Sequence, residues 1–185
     1  FWNNNEDLIK DYFHAIENYF NIKPIIVKRG KQFSIRVISK KVVEEFNTLN
    51  KNLLEKGNLK NIPEKIIQLP NENLKYLLKG LYDGDGSVSL QKRNGCRISF
   101  VSQNRELEEQ MADLLLRFGI NSSIFRDNHS KVWRLDISGQ ENLSKFLKEI
   151  GFLSLHKKQK LERYCNLKKS YKTITDIIPN CTDKI

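Results

Sequence analysis

The sequence predicts an α+β fold in which two similar units each combine helices with antiparallel hairpins. Three observations lead to this prediction. Apolar residues recur at helical spacing in several segments, and β-branched and aromatic residues alternate with polar ones in others. The same order of helices and hairpins then returns about a hundred residues later, which is typical of an internally repeated architecture.

The internal repeat is visible at three places in the chain. Residues 19–22 line up with residues 117–120 at an offset of 98, and residues 37–39 line up with residues 136–138 at an offset of 99. Residues 1–4 match residues 100–103 in position, though not in residue type. We therefore divide the chain into a partial first unit (1–69), a second unit (70–164) and a C-terminal extension (165–185).

The first unit is predicted to contain a helix, a hairpin and a second helix. Residues 6–20 carry an apolar stripe at helical spacing. A hairpin follows, with strands at 24–27 and 32–37 on either side of the turn at Gly30, because β-branched residues are frequent there. The second helix is predicted over about 41–54, and the linker 57–63 separates it from the next unit with a glycine and a proline.

The second unit is predicted to run helix, hairpin, helix, hairpin, helix. Its first hairpin pairs residues 88–90 with 97–101 around Asn94-Gly95, which is a strong hairpin-turn signal. A helix follows over 107–118, and a second hairpin pairs 124–126 with 132–137. A last helix covers 143–150.

The helix that opens the second unit ends in an acidic turn, Asp83-Gly84-Asp85-Gly86. Gly80 and Gly84 lie four residues apart, so one helix face is flat enough for another helix to approach closely. Because the C-terminal end of a helix carries partial negative charge, acids there are disfavoured unless a cation compensates. Carboxylates bind hard divalent cations, so the turn is a candidate metal site. Asp85 is predicted to continue the row of Leu78 and Leu81, facing a partner helix.

The composition favours a polyanionic partner. Lysine and arginine exceed the acids by ten charges, which suits nucleic acid, although a lysine-rich solvated surface would give the same balance. No apolar run reaches the length of a membrane span. The three cysteines are widely spaced, which predicts neither a disulfide framework nor a zinc cluster. We therefore expect an intracellular, reducing (cytoplasmic) location and no membrane partner.

The segment Leu78-Lys79-Gly80-Leu81-Tyr82-Asp83-Gly84-Asp85-Gly86 resembles the LAGLIDADG motif of homing endonucleases, with identity at six of nine positions. The resemblance extends over nearly the whole chain. It implies two pseudo-symmetric repeats of the order αββαββα, with antiparallel saddle-shaped sheets that carry helices on one side. The closest subtype is the endonuclease domain of protein-splicing inteins, because Lys60-Asn61-Ile62-Pro63 matches the linker that precedes the second motif there.

The repeat offset has a consequence for the first motif. The position equivalent to Asp85 falls before Phe1, so the partner motif helix and its acid are expected upstream of this sequence. We expect the complete protein to be a monomeric pseudo-dimer that binds double-stranded DNA with a long recognition site.

The resemblance also implies the chemistry of the site. Asp85 is expected to bind a divalent cation, Mg²⁺, which is shared with the equivalent acid of the first motif. Asp83 is expected only to stabilise the turn. Lys60 matches the family's catalytic lysine at the end of the first repeat, and Lys157 is the choice in the second repeat, with Lys158 as the alternative.

DNA sequence is expected to be read by the polar faces of the hairpins, since the major groove accepts a two-stranded ribbon. Arginine and glutamine recur on those strands, and basic residues at the turns are expected to contact phosphates. Asp136 fits such a face poorly, unless it accepts from cytosine or pairs with Arg134. The predicted DNA-binding residues are Lys28, Arg29, Lys31, Gln32, Arg36, Gln91, Lys92, Arg93, Arg97, Arg126, Lys131 and Arg134.

Three functions remain open from the sequence. The first is a metal-dependent, site-specific double-stranded DNA endonuclease domain of an intein or another homing element. The second is a DNA- or RNA-binding module of the same fold without cleavage, such as a maturase or a regulator. The third is a decayed endonuclease insert in an intein that still splices.

Overall fold

The computed structural model describes residues 2–30, 32–49, 61–91 and 95–166, and only the backbone of Trp2, Leu49 and Gln91. Helices and strands alternate along the chain, in the order β1 (Trp2–Asn3), α1 (Glu6–Phe20), β2 (Ile25–Arg29), β3 (Gln32–Arg36), α2 (Lys40–Leu49), α3 (Glu64–Ile67), α4 (Asn71–Gly84), β4 (Ser87–Gln91), β5 (Gly95–Ser102), α5 (Arg105–Leu116), β6 (Ser123–Asp127), β7 (Val132–Ser138), α6 (Gln140–Glu149) and α7 (Leu155–Cys165).

The strands form two antiparallel sheets, with the orders β1-β3-β2 and β4-β5-β7-β6. In the second sheet Ile98 lies opposite Ile137, and Phe100 lies opposite Leu135. Side chains that lie directly opposite each other point to the same face of a sheet, so the apolar residues of β5 and β7 share one face. These sheets, combined with helices, confirm the predicted α+β class.

Helices cover the apolar face of the second sheet. Leu74, Leu78 and Tyr82 of α4 are completely buried in one core with Ile98 and Phe100. Helices α5, α6 and α7 add their own buried residues to that core: Met111, Leu114, Leu115, Leu143, Phe146, Leu161 and Tyr164. Outside that core, the described residues of the first unit include a smaller set of buried apolar residues: Leu8, Ile9, Ile16, Ile35 and Val42.

The element order of the first unit recurs in the second. The series β1, α1, β2, β3, α2 corresponds to β5, α5, β6, β7, α6, and the sheet order β1-β3-β2 corresponds to β5-β7-β6. Within the described residues, α4 and β4 have no counterpart in the first unit. In the described parts of the chain, the second unit therefore has one helix and one strand more than the first.

The structure adds two helices to the predicted elements. Helix α2 is described only to Leu49, and the rest of the predicted helix 41–54 lies outside the described residues. The short α3 and the eleven-residue α7 were not predicted.

In the described ranges no helix combines the length and hydropathy that a membrane crossing needs.

Candidate functional site

Helix α4 presents two different faces. Leu74, Leu78 and Tyr82 pack into the core of their own unit, so the prediction that the Leu78 row faces a partner helix is wrong. The face that stays open carries Gly80 and Gly84, where an added Cβ would meet no atom within 4 Å. Periodicity identified the apolar stripe of α4 but assigned it to the wrong neighbour, because this stripe closes the core over the second sheet.

The open face of α4 borders a groove of about 320 Å³. Helix α1 of the first unit forms the opposite wall with Leu8, Asp11 and Tyr12, and Leu153 closes one end. Tyr76 of α4 lines the groove and is 64% exposed. The groove thus lies between the two units and alongside the glycines of α4.

The C-terminal end of α4 leaves Asp85 exposed. Asp85 is the C-cap residue, and its backbone N–H donates to the carbonyl of Leu81 at 2.9 Å. Gly86 follows, so close to the last turn that a Cβ on it would lie 2.5 Å from the Tyr82 carbonyl oxygen. The close approach of Gly86 holds the turn against the helix and keeps the Asp85 side chain at the surface.

Asp83 has a different environment from Asp85, and its role is not the local turn that the sequence suggested. It is 3% exposed. Its carboxylate accepts hydrogen bonds from the backbone N–H groups of Leu153 at 2.7 Å and Ser154 at 3.0 Å. Ser154 is the N-cap residue of α7, so Asp83 fastens the beginning of α7 to the end of α4.

Lys157 joins the same two helices, but here the side chain belongs to α7 and the backbone groups belong to α4. Its Nζ donates to the carbonyl oxygens of Tyr82 at 2.9 Å and Asp83 at 2.7 Å. An ammonium is favourable there, since the last carbonyls of a helix carry partial negative charge. Burial lowers the pKa of Lys157 from its ordinary value, and the nearby carboxylates of Asp83 and Asp85 oppose this shift.

The structure distinguishes Lys157 from Lys158. Lys158 Nζ lies 3.8 Å from a carboxylate oxygen of Glu162, one turn further along α7. Only Lys157 of the two reaches the end of α4. The choice could not be made from the sequence, because it depends on how α7 packs and α7 was not predicted.

The polar face of the second sheet carries two ion pairs among the described residues. Arg97 pairs with Asp136 at 3.0 Å, which corrects the suggestion that Asp136 pairs with Arg134. Arg134 instead lies 3.5 Å from Asp127 and stacks on the ring of Phe125. Both arginines keep about 30% of their side chains exposed.

The strand registers separate the other predicted DNA-binding residues by face. In the first sheet Arg29 lies opposite Gln32. Every second residue of a strand points to the same face, so Arg36, four positions after Gln32, projects from the same face of β3 as Gln32. Lys28 lies opposite Phe33 and stacks on its ring at 5.1 Å, on the other face.

Arg126 is likewise on the face away from Arg97 and Arg134. It lies opposite Trp133 and stacks on that indole ring at 5.9 Å. The register therefore gives Arg126 a face, and its predicted role in DNA binding stays a prediction. Alternation within β6 could not show this face, because the strand is short and the adjacent residues Ile124 and Phe125, which point to opposite faces, are both apolar.

The remaining predicted residues lie at turns or outside the described part. Lys131 is exposed in the β6–β7 turn, with a left-handed backbone at a φ of 56°. Lys60, Lys31, Lys92 and Arg93 lie outside the described residues, as does the side chain of Gln91 and the extension from residue 167 onward.

Of the two aspartates at the end of α4, Asp85 is the exposed one and could bind a divalent cation. No group of three His, Cys, Asp or Glu side chains suited to a metal ion occurs in the described part of the chain. Asp85 is available to a cation, whereas the Asp83 carboxylate is already engaged by two backbone N–H groups. The donor set fits one half of a shared carboxylate site.

Sequence reasoning missed Glu108, a carboxyl buried beneath the second sheet. Glu108 of α5 is 0% exposed, and neither carboxyl oxygen makes a well-formed hydrogen bond within the described residues. Burial raises its pKa to about 8; the backbone amide of Ser102 opposes this shift and the charge of Asp136 adds to it. The sequence did contain a signal that Glu108 is buried: it follows Leu107 and precedes Met111 and Ala112 by one helical turn, so it lies on the apolar side of α5.

The comparisons with known proteins agree with this architecture. Residues 72–151 match the family model of the LAGLIDADG-like domain. The chain is 25% identical to a variant of the homing endonuclease I-DmoI, with a TM-score of 0.61 over 81% of this chain and 77% of that one. I-DmoI in complex with DNA and Mn gives 24% identity and a TM-score of 0.58 over 81% and 78%.

Curated relatives match this chain over only a small part of their own length. A protein named probable translation initiation factor IF-2 from Methanocaldococcus jannaschii is 32% identical over 145 residues, which are 75% of this chain and 12% of that protein. The ATP-dependent DNA helicase Hel308 of the same organism is 42% identical over 105 residues, 57% of this chain and 8% of that protein. The motif helix, the two antiparallel sheets, the family match and the likeness to I-DmoI together show that residues 72–151 form a LAGLIDADG-like domain within a fold similar to that of I-DmoI.

Proposed function

We propose that this chain is the DNA-cutting domain of a site-specific double-stranded DNA endonuclease. The observation that carries the proposal is the end of α4, where the exposed Asp85 lies beside the Lys157 ammonium. Hydrolysis of a phosphodiester needs a water nucleophile and compensation for the negative charge that develops on the phosphate. A carboxylate and an ammonium at one helix end supply groups suited to both needs.

Asp85 would hold a divalent cation, Mg²⁺, together with the acid expected from the first motif helix. A bound cation of this kind supplies an activated water and charge compensation. The I-DmoI structures with DNA and Mn, with target DNA and Mg, and with DNA and Ca support the choice of a divalent cation. Lys157 is held by two carbonyls, so its charge is fixed beside the site, and Lys60 is the proposed counterpart from the first unit.

The polar faces of the two sheets are proposed to contact the DNA. Arg29, Gln32 and Arg36 are exposed on one face of the first sheet, and Arg97 and Arg134 take the corresponding place in the second. Long polar side chains on such a ribbon can reach base edges in the major groove. Lys28, Arg126 and Lys131 lie on the other face or at a turn, where we propose phosphate contacts, as for Lys31, Lys92 and Arg93.

We further propose that the domain is an insert of the intein kind. Its relatives bear names as different as translation initiation factor, DNA helicase and glutamine–fructose-6-phosphate aminotransferase, and each match covers 8–15% of the relative. One segment that matches a small part of proteins with unrelated names is the pattern expected of an inserted element. An element that cuts chromosomal DNA would act inside the cell.

The test is Asp85→Asn in the full-length protein that contains these residues. The unsubstituted protein is expected to cut its target DNA only with a divalent cation, and the variant should lose cutting by at least about a hundredfold while it still binds DNA. Glu72→Gln, an exposed acid at the other end of α4, is the matched control and should cut normally. Cutting is followed on plasmids that carry the target, and binding by a gel-shift assay.

The same experiment addresses the second function. A DNA-binding module without cleavage would bind the target, and neither the unsubstituted protein nor either variant would cut it. Unchanged cutting by Asp85→Asn would remove Asp85 from the site.

The assignment of sheet faces predicts different effects of two exposed arginines on DNA affinity. Arg36→Ala should weaken binding by about 1–3 kcal/mol and relax the sequence preference at the contacted position, because Arg36 projects from the polar face. Arg126→Ala should weaken binding to all sequences alike and reduce the slope of log affinity against log salt by about one. Binding measured at several salt concentrations, on target and altered sites, separates the two.

A further inference from the structure

Two asparagines occupy equivalent places in the two units. Asn5 caps α1 and Asn104 caps α5, at the offset of 99 that relates the repeats. Each side chain accepts a hydrogen bond from the backbone N–H two residues later, Asp7 at 2.9 Å and Glu106 at 3.0 Å. The backbone N–H of each asparagine donates to a side chain two residues earlier: that of Asn5 to Asn3, and that of Asn104 to Ser102.

The amide nitrogens of the two asparagines cross to the opposite unit. Asn5 Nδ2 donates to Ser154 Oγ at 3.0 Å, a residue 149 positions away at the end of the second unit. Asn104 Nδ2 donates to Asn61 Oδ1 at 2.6 Å, at the end of the first unit. Each unit therefore holds the segment through which the chain leaves the other unit.

The segments so held lead directly to the proposed lysines. Ser154 is the N-cap of α7, three residues before Lys157, and it is 4% exposed. On the other side Asn61 follows Lys60 in the chain. Ile62 is held by Gln110 of α5, whose side chain accepts from the Ile62 N–H at 2.7 Å and donates to its carbonyl at 3.2 Å.

We propose that Asn5 and Asn104 are positioning residues of a crossed latch, in which each unit holds the exit segment of the other, at Ser154 and at Asn61. The consequence for activity rests on the proposed nuclease function. A helix cap needs only the side-chain oxygen. The amide nitrogens are additional, and both are used between units.

The test separates the cap from the latch. Serine caps a helix about as well as asparagine but is too short to reach the opposite unit. In Asn5→Ser, hydrogen exchange of the amides at 154–157 should become about fivefold faster, as expected for the loss of one neutral hydrogen bond. In Asn104→Ser the same change is expected at 61–62. Asn5→Asp is the control, because aspartate caps α1 and can accept from the Ser154 hydroxyl.

The activity readout is which DNA strand is left uncut. Each variant of the full-length protein should accumulate nicked plasmid, with one strand cut about tenfold more slowly, and the two variants should spare opposite strands. Exchange that rises only within α1 or α5 would overturn the latch, and so would equal loss of cutting on both strands. If the unsubstituted protein does not cut DNA, the proposed function fails, and the exchange measurement still decides the latch.

Discussion

Replacing Gly86 with alanine is expected to lower the free energy of unfolding by about 3 kcal/mol. The added Cβ would lie 2.5 Å from the carbonyl oxygen, 2.8 Å from the Cα and 2.8 Å from the Cδ1 of Tyr82. Two of these atoms are backbone, and the ring of Tyr82 is itself completely buried between Phe100 and Phe146. None of these atoms can shift without a large energetic cost, so the backbone at the end of α4 must move instead.

Gly84→Ala is the matched control for Gly86→Ala. It lies two residues earlier, and its added Cβ meets nothing within 4 Å. Alanine is the better helix former by about 1 kcal/mol, so this variant should be as stable as the unsubstituted protein or slightly more so. Urea unfolding followed by circular dichroism gives both values. Equal destabilisation by the two variants would contradict the close approach at Gly86.

Glu108→Gln is expected to stabilise the protein at alkaline pH by an amount on the order of 4 kcal/mol. The folded-state pKa of about 8 lies above the ordinary value of 4.5. Between these values the native state keeps a proton that the unfolded chain has lost. The free energy of unfolding therefore falls as the pH rises from about 4.5 to 8, and it levels off above that range. Glutamine is neutral at every pH, so the variant does not lose free energy of unfolding over this pH range.

The measurement is the free energy of unfolding of both proteins between pH 5 and 9. The difference should be small at pH 5, where the carboxyl is protonated and resembles the amide, and should grow toward pH 8. Glu106→Gln, an exposed residue of the same helix, is the control and should not show that growth. A constant difference across the range would mean that Glu108 is ionised in the folded protein.

The sequence predicted the elements whose periodicity is long and regular. The stripe of α4, the hairpin around residues 94–95 and the pattern of α5 each extend over enough positions to be distinguished from chance. Helix α7 was missed because only Leu161 and Tyr164 of its eleven residues are buried, which leaves no repeating stripe to recognise.

Relations between elements were harder to predict than the elements. The face of Arg126 depends on the register that places it opposite Trp133, and the partner of Asp136 depends on the neighbouring strand. Asp83 looked like a turn residue because its partners, Leu153 and Ser154, lie 70 and 71 positions away. Local propensity carries no information about such distant contacts.

The contacts between α4 and α7 also bear on how the protein assembles. Asp83 and Lys157 join residues that are 70 to 75 positions apart, and the whole second sheet lies between them in the chain. Closing a loop of this size costs entropy that only the finished sheet and its helices can offset. The lysine beside Asp85 therefore reaches its place by tertiary closure of the unit, and the proposed chemistry depends on a contact that local folding alone does not provide.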